Sequence, residues 1–156
     1  MNKIVQDCAL IIKDRCQEKD IKVKLKLAKF LPEIEADEAK IKQAMMSIID
    51  NALDAMEGKR GGILTFATGR EKNGVFLSIT DTGTGIPEKR ISKVLEPFYS
   101  TKNNGSGLGL SVAKSIMEQH SGELEIKSQV GKGTTVKLKF PRFFCWAQNY
   151  LLVEDL

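Results

Sequence analysis

Several residue types and patterns are scarce, and each scarcity removes a class of protein. There is one histidine, His120, so no cluster with metal-ligand spacing is visible. There are three cysteines, Cys8, Cys16 and Cys145. Cys8 and Cys16 fall about two turns apart on an expected helix, roughly 12 Å along its axis, which is beyond the span of a disulfide. An odd, unpatterned set fits reduced thiols and a cytoplasmic setting. No run of about 18 apolar residues and no signal-peptide pattern occur, so no membrane contact is expected of this domain. The net charge is a mild +4 and the lysines are dispersed, which excludes a concentrated nucleic-acid patch. What remains is ordinary globular composition, 42% hydrophobic and 28% charged over 156 residues, enough for one domain with a real core.

Periodicity divides the chain into helices and strands. Ile4, Val5, Cys8, Ile11 and Ile12 recur at helical spacing, which predicts a helix over 2–19. Residues 21–27 alternate, with Ile21, Val23, Leu25 and Leu27 inward and Lys22, Lys24 and Lys26 outward. A turn at Pro32 leads to an expected short strand at 33–36. Asp37 is placed to cap a helix whose apolar face is Ile41, Ala44, Met45, Ile48, Ala52 and Ala55. Strands are expected at 63–68 and 75–80, joined by a hairpin loop ending in Asn73-Gly74. A short helical patch follows at 88–94, and a longer helix runs to about His120. Leu124 and Ile126 mark one closing strand, and residues 134–140 alternate in another after Gly131-Lys132-Gly133. Alternating strands leave one sheet face wet, so the helices belong on the other. The expected fold is an α/β (α+β) two-layer sandwich, with a mixed, mostly antiparallel sheet covered on one face by three helices.

Four stretches carry chemistry. Asp81-Thr82-Gly83-Thr84-Gly85-Ile86-Pro87 follows a strand. A carboxylate at a buried strand end needs a partner. Asp81 is either the acceptor for an exocyclic amine such as that of adenine, or a solvated turn residue. Gln43, Ser47, Asn51 and Asp54 line up along one helix beside its apolar stripe. The Asn51 amide oxygen suits a hydrated Mg²⁺; a solvated flank is the bland alternative. Glu96-Pro97-Phe98-Tyr99-Ser100-Thr101-Lys102 puts two aromatics in a polar loop, either as a ligand cover or as a loop pinned to the core. Gly105-Ser106-Gly107-Leu108-Gly109-Leu110 opens a helix and can present backbone N–H groups to an anion. Its spacing is neither the dinucleotide fingerprint nor a Walker loop.

In that order, these stretches resemble the N box, first glycine box, F box and second glycine box of sensor histidine kinases. The resemblance spans residues 2–141 and includes Gly131-Lys132-Gly133-Thr134-Thr135 and the closing Phe140-Pro141. It implies a catalytic, ATP-binding domain of the Bergerat fold at 1–141, with ATP and Mg²⁺ as cofactors. Asp81 would bind the adenine amino group, with Thr134 assisting, and Asn51 would hold Mg²⁺. Gly83, Gly85 and Ile86 would bound the base. Gly105, Gly107, Leu108, Gly109 and Leu110 would form a phosphate lid, with Phe98 packed beneath it and Lys102 meeting phosphate. The γ-phosphoryl group would pass to a histidine on a separate dimerisation and phosphoacceptor helix, and a response-regulator receiver would be a further partner.

The chain departs from the family pattern in places. Ser47 stands where the family often has a second Asn, and Asp54 stands where kinases frequently carry a basic residue. The missing contact then falls to Lys102 or Lys59. No phosphoacceptor pattern occurs, and His120 is expected to be structural. Acceptor helices would precede Asn2, so ATP binding without autophosphorylation is expected. The apolar tail 142–156 lies outside the resemblance and stays open as an added element, an association surface or the start of another domain. Two other functions share this framework: a serine kinase of the anti-sigma type, and a nucleotide-binding regulatory module without transfer.

Overall fold

The computed structural model describes residues 1–58, 61–99 and 107–142. Strands β1 (Ile21–Lys26), β2 (Gly62–Glu71), β3 (Gly74–Thr80), β4 (Glu123–Gln129) and β5 (Gly133–Pro141) form one sheet in the order β1-β2-β3-β5-β4. β1 runs parallel to β2, and the other three pairings are antiparallel. The inward face carries Leu64, Phe66, Val75, Leu77, Ile79, Val136, Leu138 and Phe140, all buried. In register, Ile79 lies between Phe66 on β2 and Val136 on β5, so three strands present one continuous apolar surface. Each such fully buried side chain contributes about 1.5–3 kcal/mol by leaving water.

The helices α1 (Asn2–Ile11), α2 (Lys13–Glu18), α3 (Glu38–Ala55) and α5 (Gly109–Gln119) bury their apolar faces in the same core. α3 starts where its cap says it should. Asp37 Oδ1 accepts from the Ala39 and Lys40 amides at 2.9 and 3.1 Å, satisfying two orphan donors of the first turn. Ile41, Ala44, Met45, Ile48, Ile49, Ala52 and Leu53 then fill the buried stripe. On the partly exposed flank, Lys42 bridges Asp7 of α1 (2.9 Å) and Glu38 (2.8 Å). A short helix, α4 (Glu88–Ile91), and a 3₁₀ turn, Lys93–Leu95, occupy the expected helical patch.

Three expectations need correction. The helix over 2–19 is present as α1 and α2, separated at Ile12 (φ −91°, ψ −1°). The bonds Ile12 N–H to Cys8 O and Cys16 N–H to Ile12 O continue through the break. No strand forms at 33–36. That segment instead runs as irregular chain and packs Leu31, Ile34 and Ala36 against the core. Leu25 is 45% exposed, since the helical cover thins along this edge strand.

On the wet face, Glu125 of β4 accepts hydrogen bonds from Lys127 (2.8 Å) and Lys139 (2.9 Å). These hold its carboxyl down at about 2. The folded value lies below the ordinary one near 4.3. The stabilisation is therefore full above that pH and is lost as pH falls toward about 2. The pairs are exposed enough that the effect is small. We expect Glu125→Gln to lower the melting temperature slightly near neutral pH. That difference should shrink as pH falls below the ordinary carboxylate range and vanish only below about pH 2 in a calorimetric pH series.

Candidate functional site

The sheet and the inner ends of α3 and α5 enclose a cavity of about 910 Å³, the size of a small-molecule site. Its lining includes Asn51, Asp81, Gly85, Ile86, Gly107, Leu108, Gly109, Leu110 and Thr134. These come from three separate sequence stretches and from β5. Gln43, Ser47 and Asp54 line it too, so the polar seam read along α3 faces the cavity. Ile48, Ala52, Ile79 and Val136 supply an apolar floor.

Asp81 sits at the end of β3, buried at 6% exposure. Its amide continues the sheet ladder by donating to the Thr134 carbonyl at 2.9 Å. Its Oδ1 accepts from the Gly83 amide at 2.7 Å and the Thr134 amide at 3.2 Å. Two backbone donors thus stabilise the charge that burial would otherwise penalise. They also fix the plane of a carboxylate that can only accept hydrogen bonds when ionised. Thr134 is held by a second residue that the sequence reading missed. Ser128 Oγ lies 2.8 Å from Thr134 Oγ1, donates to the Gly133 carbonyl at 3.0 Å and accepts from the Ile86 amide at 2.7 Å. Ser128 shares the β4 face of Leu124 and Ile126. A hydroxyl at an inward strand position was the signal available.

The glycines of this loop are required by protein neighbours. A Cβ at Gly83 would stand 2.6 Å from the Ala55 carbonyl oxygen and 2.7 Å from its Cβ. One at Gly85, which has φ +72°, would meet the Gln129 carbonyl oxygen at 2.1 Å. The loop is therefore clamped between the end of α3 and the β4–β5 turn, with Thr84 N–H donating to Ala55 O at 3.0 Å. Gly85 and Ile86 reach the cavity; Gly83 does not line it and acts through this packing.

At the other structural element, the first turn of α5 opens on the cavity. Asn51 Nδ2 donates to the Ser47 carbonyl at 3.1 Å, and a Cβ at Gly109 would lie 3.1 Å from that nitrogen. The amide of Asn51 and the amide-rich start of an 11-residue helix therefore converge. Helix starts carry partial positive charge. The Asn51 amide oxygen with the Asp54 carboxylate on the same lining is a donor set that fits a hard, hydrated cation such as Mg²⁺.

Phe98 differs from expectation. The residue is 78% exposed and off the cavity lining, which goes to Tyr99 and Val94. Its backbone (φ +65°) instead supports Gly107 (φ +68°), where a Cβ would come within 2.5 Å. Lys59, Lys102, Gly105 and the tail from 143 onward lie outside the described residues. His120 is 8% exposed. Its Nδ1 donates to the Ile116 carbonyl at 2.7 Å while Nε2 accepts from the Asp37 amide at 3.0 Å. Both ring nitrogens are engaged in joining α5 to the start of α3, a structural role.

Comparison with known proteins follows the same outline. The family model for histidine kinase-, DNA gyrase B-, and HSP90-like ATPases matches residues 36–143. The chain belongs to this ATPase family. It is similar to sporulation kinase C of Bacillus subtilis (strain 168), 38% identical over 108 residues, which are 69% of this chain and 25% of that protein. It is also similar to sensor histidine kinase ZraS of Escherichia coli (strain K12), 30% identical over 141 residues, 90% of this chain and 30% of that protein. The chain thus spans under a third of these relatives. Its fold matches the nucleotide-free catalytic domain of histidine kinase ThkA with a TM-score of 0.81 at 24% identity, covering 91% of this chain and 92% of that one. Among the described residues, no helix is long and apolar enough to cross a membrane.

Gly83→Ala should force the Asp81 loop away from α3. We expect a loss of about 1–3 kcal/mol in urea denaturation. Unchanged stability would show that the Ala55 contact does not constrain the loop.

Proposed function

We propose that the cavity binds Mg-ATP and that the chain serves as the catalytic domain of a two-component histidine kinase. The observation that carries this reading is the placement of Asp81, Thr134, Asn51 and the α5 N-terminus on one cavity. In this reading Asp81, held by the Gly83 and Thr134 amides, accepts from the exocyclic amine of adenine. Thr134, itself held by Ser128, meets the base edge. Ile48, Ala52, Ile79 and Val136 take its apolar faces.

The phosphates then lie toward Gly107, Leu108, Gly109 and Leu110, where backbone N–H groups of α5 receive anionic oxygens. Asn51 would hold Mg²⁺, which supplies charge neutralisation for the phosphates when bound. Lys102 and Gly105 are assigned to the same end from the sensor-kinase resemblance alone. An acceptor histidine on a separate dimerisation helix forms a P–N bond as the γ-phosphorus to ADP oxygen bond breaks. The protein's part is position and electrostatics. A receiver domain of a response regulator is the onward partner, and the setting is cytoplasmic. His120, with both nitrogens bonded inside the fold, is not the acceptor.

Calorimetry with Mg-ATP tests the binding half. We expect a saturable heat, and Asp81→Asn should weaken affinity tenfold or more. The loss of a hydrogen bond to a charged group costs about 1.5–3 kcal/mol. Unchanged affinity would remove Asp81 from the pocket. Labelled ATP with an acceptor-helix fragment supplied in trans tests the transfer half. Acid-labile, base-stable label on histidine is expected. Label on serine of a partner, or none with any acceptor, would contradict the histidine-kinase assignment.

A further inference from the structure

Carboxylates on the α3 side of the cavity would oppose the charge of a bound triphosphate. Asp50, Asp54 and Glu57 all line it, at spacings that put them on one side of the helix end. Like charges at this range repel, and the repulsion grows with every charge on the ligand. Asp50 and Glu57 are matched from outside the cavity. Arg15 Nη1 lies 2.9 Å from Asp50 Oδ1, and Lys19 Nζ lies 3.1 Å from Glu57 Oε1. Arg15 and Lys19 are one helical turn apart at the end of α2, and they reach Asp50 on α3 and Glu57 in the turn just past its end.

These pairs are not needed to hold α2 in place. Cys16, with Ile12 just before the helix, already buries it against the core. The charged side chains remain substantially exposed, Asp50 at 52% and Glu57 at 70%, and exposed pairs add little to stability. Their effect on a polyanion next door is larger, because it acts on several phosphate charges at once. Resting on the nucleotide reading above, we propose that Arg15 and Lys19 are positioning residues for the polyphosphate. They neutralise Asp50 and Glu57 and so set the charge of the rim that the phosphates must pass. Moving α2 away from α3 would expose two further negative charges to the nucleotide. The segment before β1 therefore governs how strongly the pocket holds ATP.

The test uses the charge of the ligand as its ruler. Binding of adenosine, ADP and ATP, with Mg²⁺ in excess, is measured by fluorescent-nucleotide displacement for the unsubstituted chain and for Arg15→Ala/Lys19→Ala. We expect the ATP dissociation constant to rise about three- to tenfold at low ionic strength. ADP should weaken less and adenosine not at all, and the ATP effect should fade in about 0.5 M salt. Adding Asp50→Asn/Glu57→Gln should restore ATP affinity. That neutral pair of substitutions alone should tighten it, an independent check should the alanine variant melt early in circular dichroism. Equal weakening of adenosine and ATP, or no change for ATP, would overturn the proposal while leaving the nucleotide site standing. Failure of the unsubstituted chain to bind any of the three would overturn both.

Discussion

A carboxylate buried at a strand end is the constraint around which this molecule is arranged. Asp81 is almost withdrawn from water, and an ionised carboxylate there is costly unless donors surround it. The Gly83 and Thr134 amides supply two. Each requires a particular path of the chain. The Gly83 amide is available because the loop after β3 turns back immediately. The Thr134 amide is available because β5 lies beside β3, where Asp81 and Thr134 also exchange a backbone bond. Sheet order and loop conformation together place one acceptor at the cavity wall, while the glycine at 83 lets the loop pack against Ala55.

The second half of the site follows from how closely α5 approaches α3. Gly109 lets the first turn of α5 come against the Asn51 amide. His120 secures the other end of α5 to the cap of α3. The helix therefore presents its N-terminal amides beside Asn51 on the cavity lining. On the outer side of this frame, Arg15 and Lys19 at the end of α2 pair with Asp50 on α3 and with Glu57 just past its end. Placement and field are separate devices here. The first is buried backbone and the second is exposed side chains.

Much of this was legible from local pattern. α3 announced itself by Asp37 and by apolar residues at three- and four-residue spacing. Its polar seam pointed at the cavity because helical geometry alone aligns Gln43, Ser47, Asn51 and Asp54. Asp81 stood out as a charge where strand alternation demanded burial. What stayed hidden depends on neighbours distant in sequence. Nothing near Gly83 or Gly85 reveals that Ala55 and Gln129 fill the space a side chain would need. Ser128 reads as a plain strand residue until β4 and β5 pair it with Thr134. The exposed end of β1 reflects an edge position that alternation cannot report. The Arg15 and Lys19 pairs require knowing that α2 lies along α3.

The most direct test of the account is a crystal structure of the chain with Mg²⁺ and a non-hydrolysable ATP analogue. The account predicts the adenine amino group within hydrogen-bond distance of the Asp81 carboxylate, and the phosphates at the first turn of α5 beside Asn51. An analogue seated elsewhere, or one reversed with its phosphates at Asp81, would contradict it.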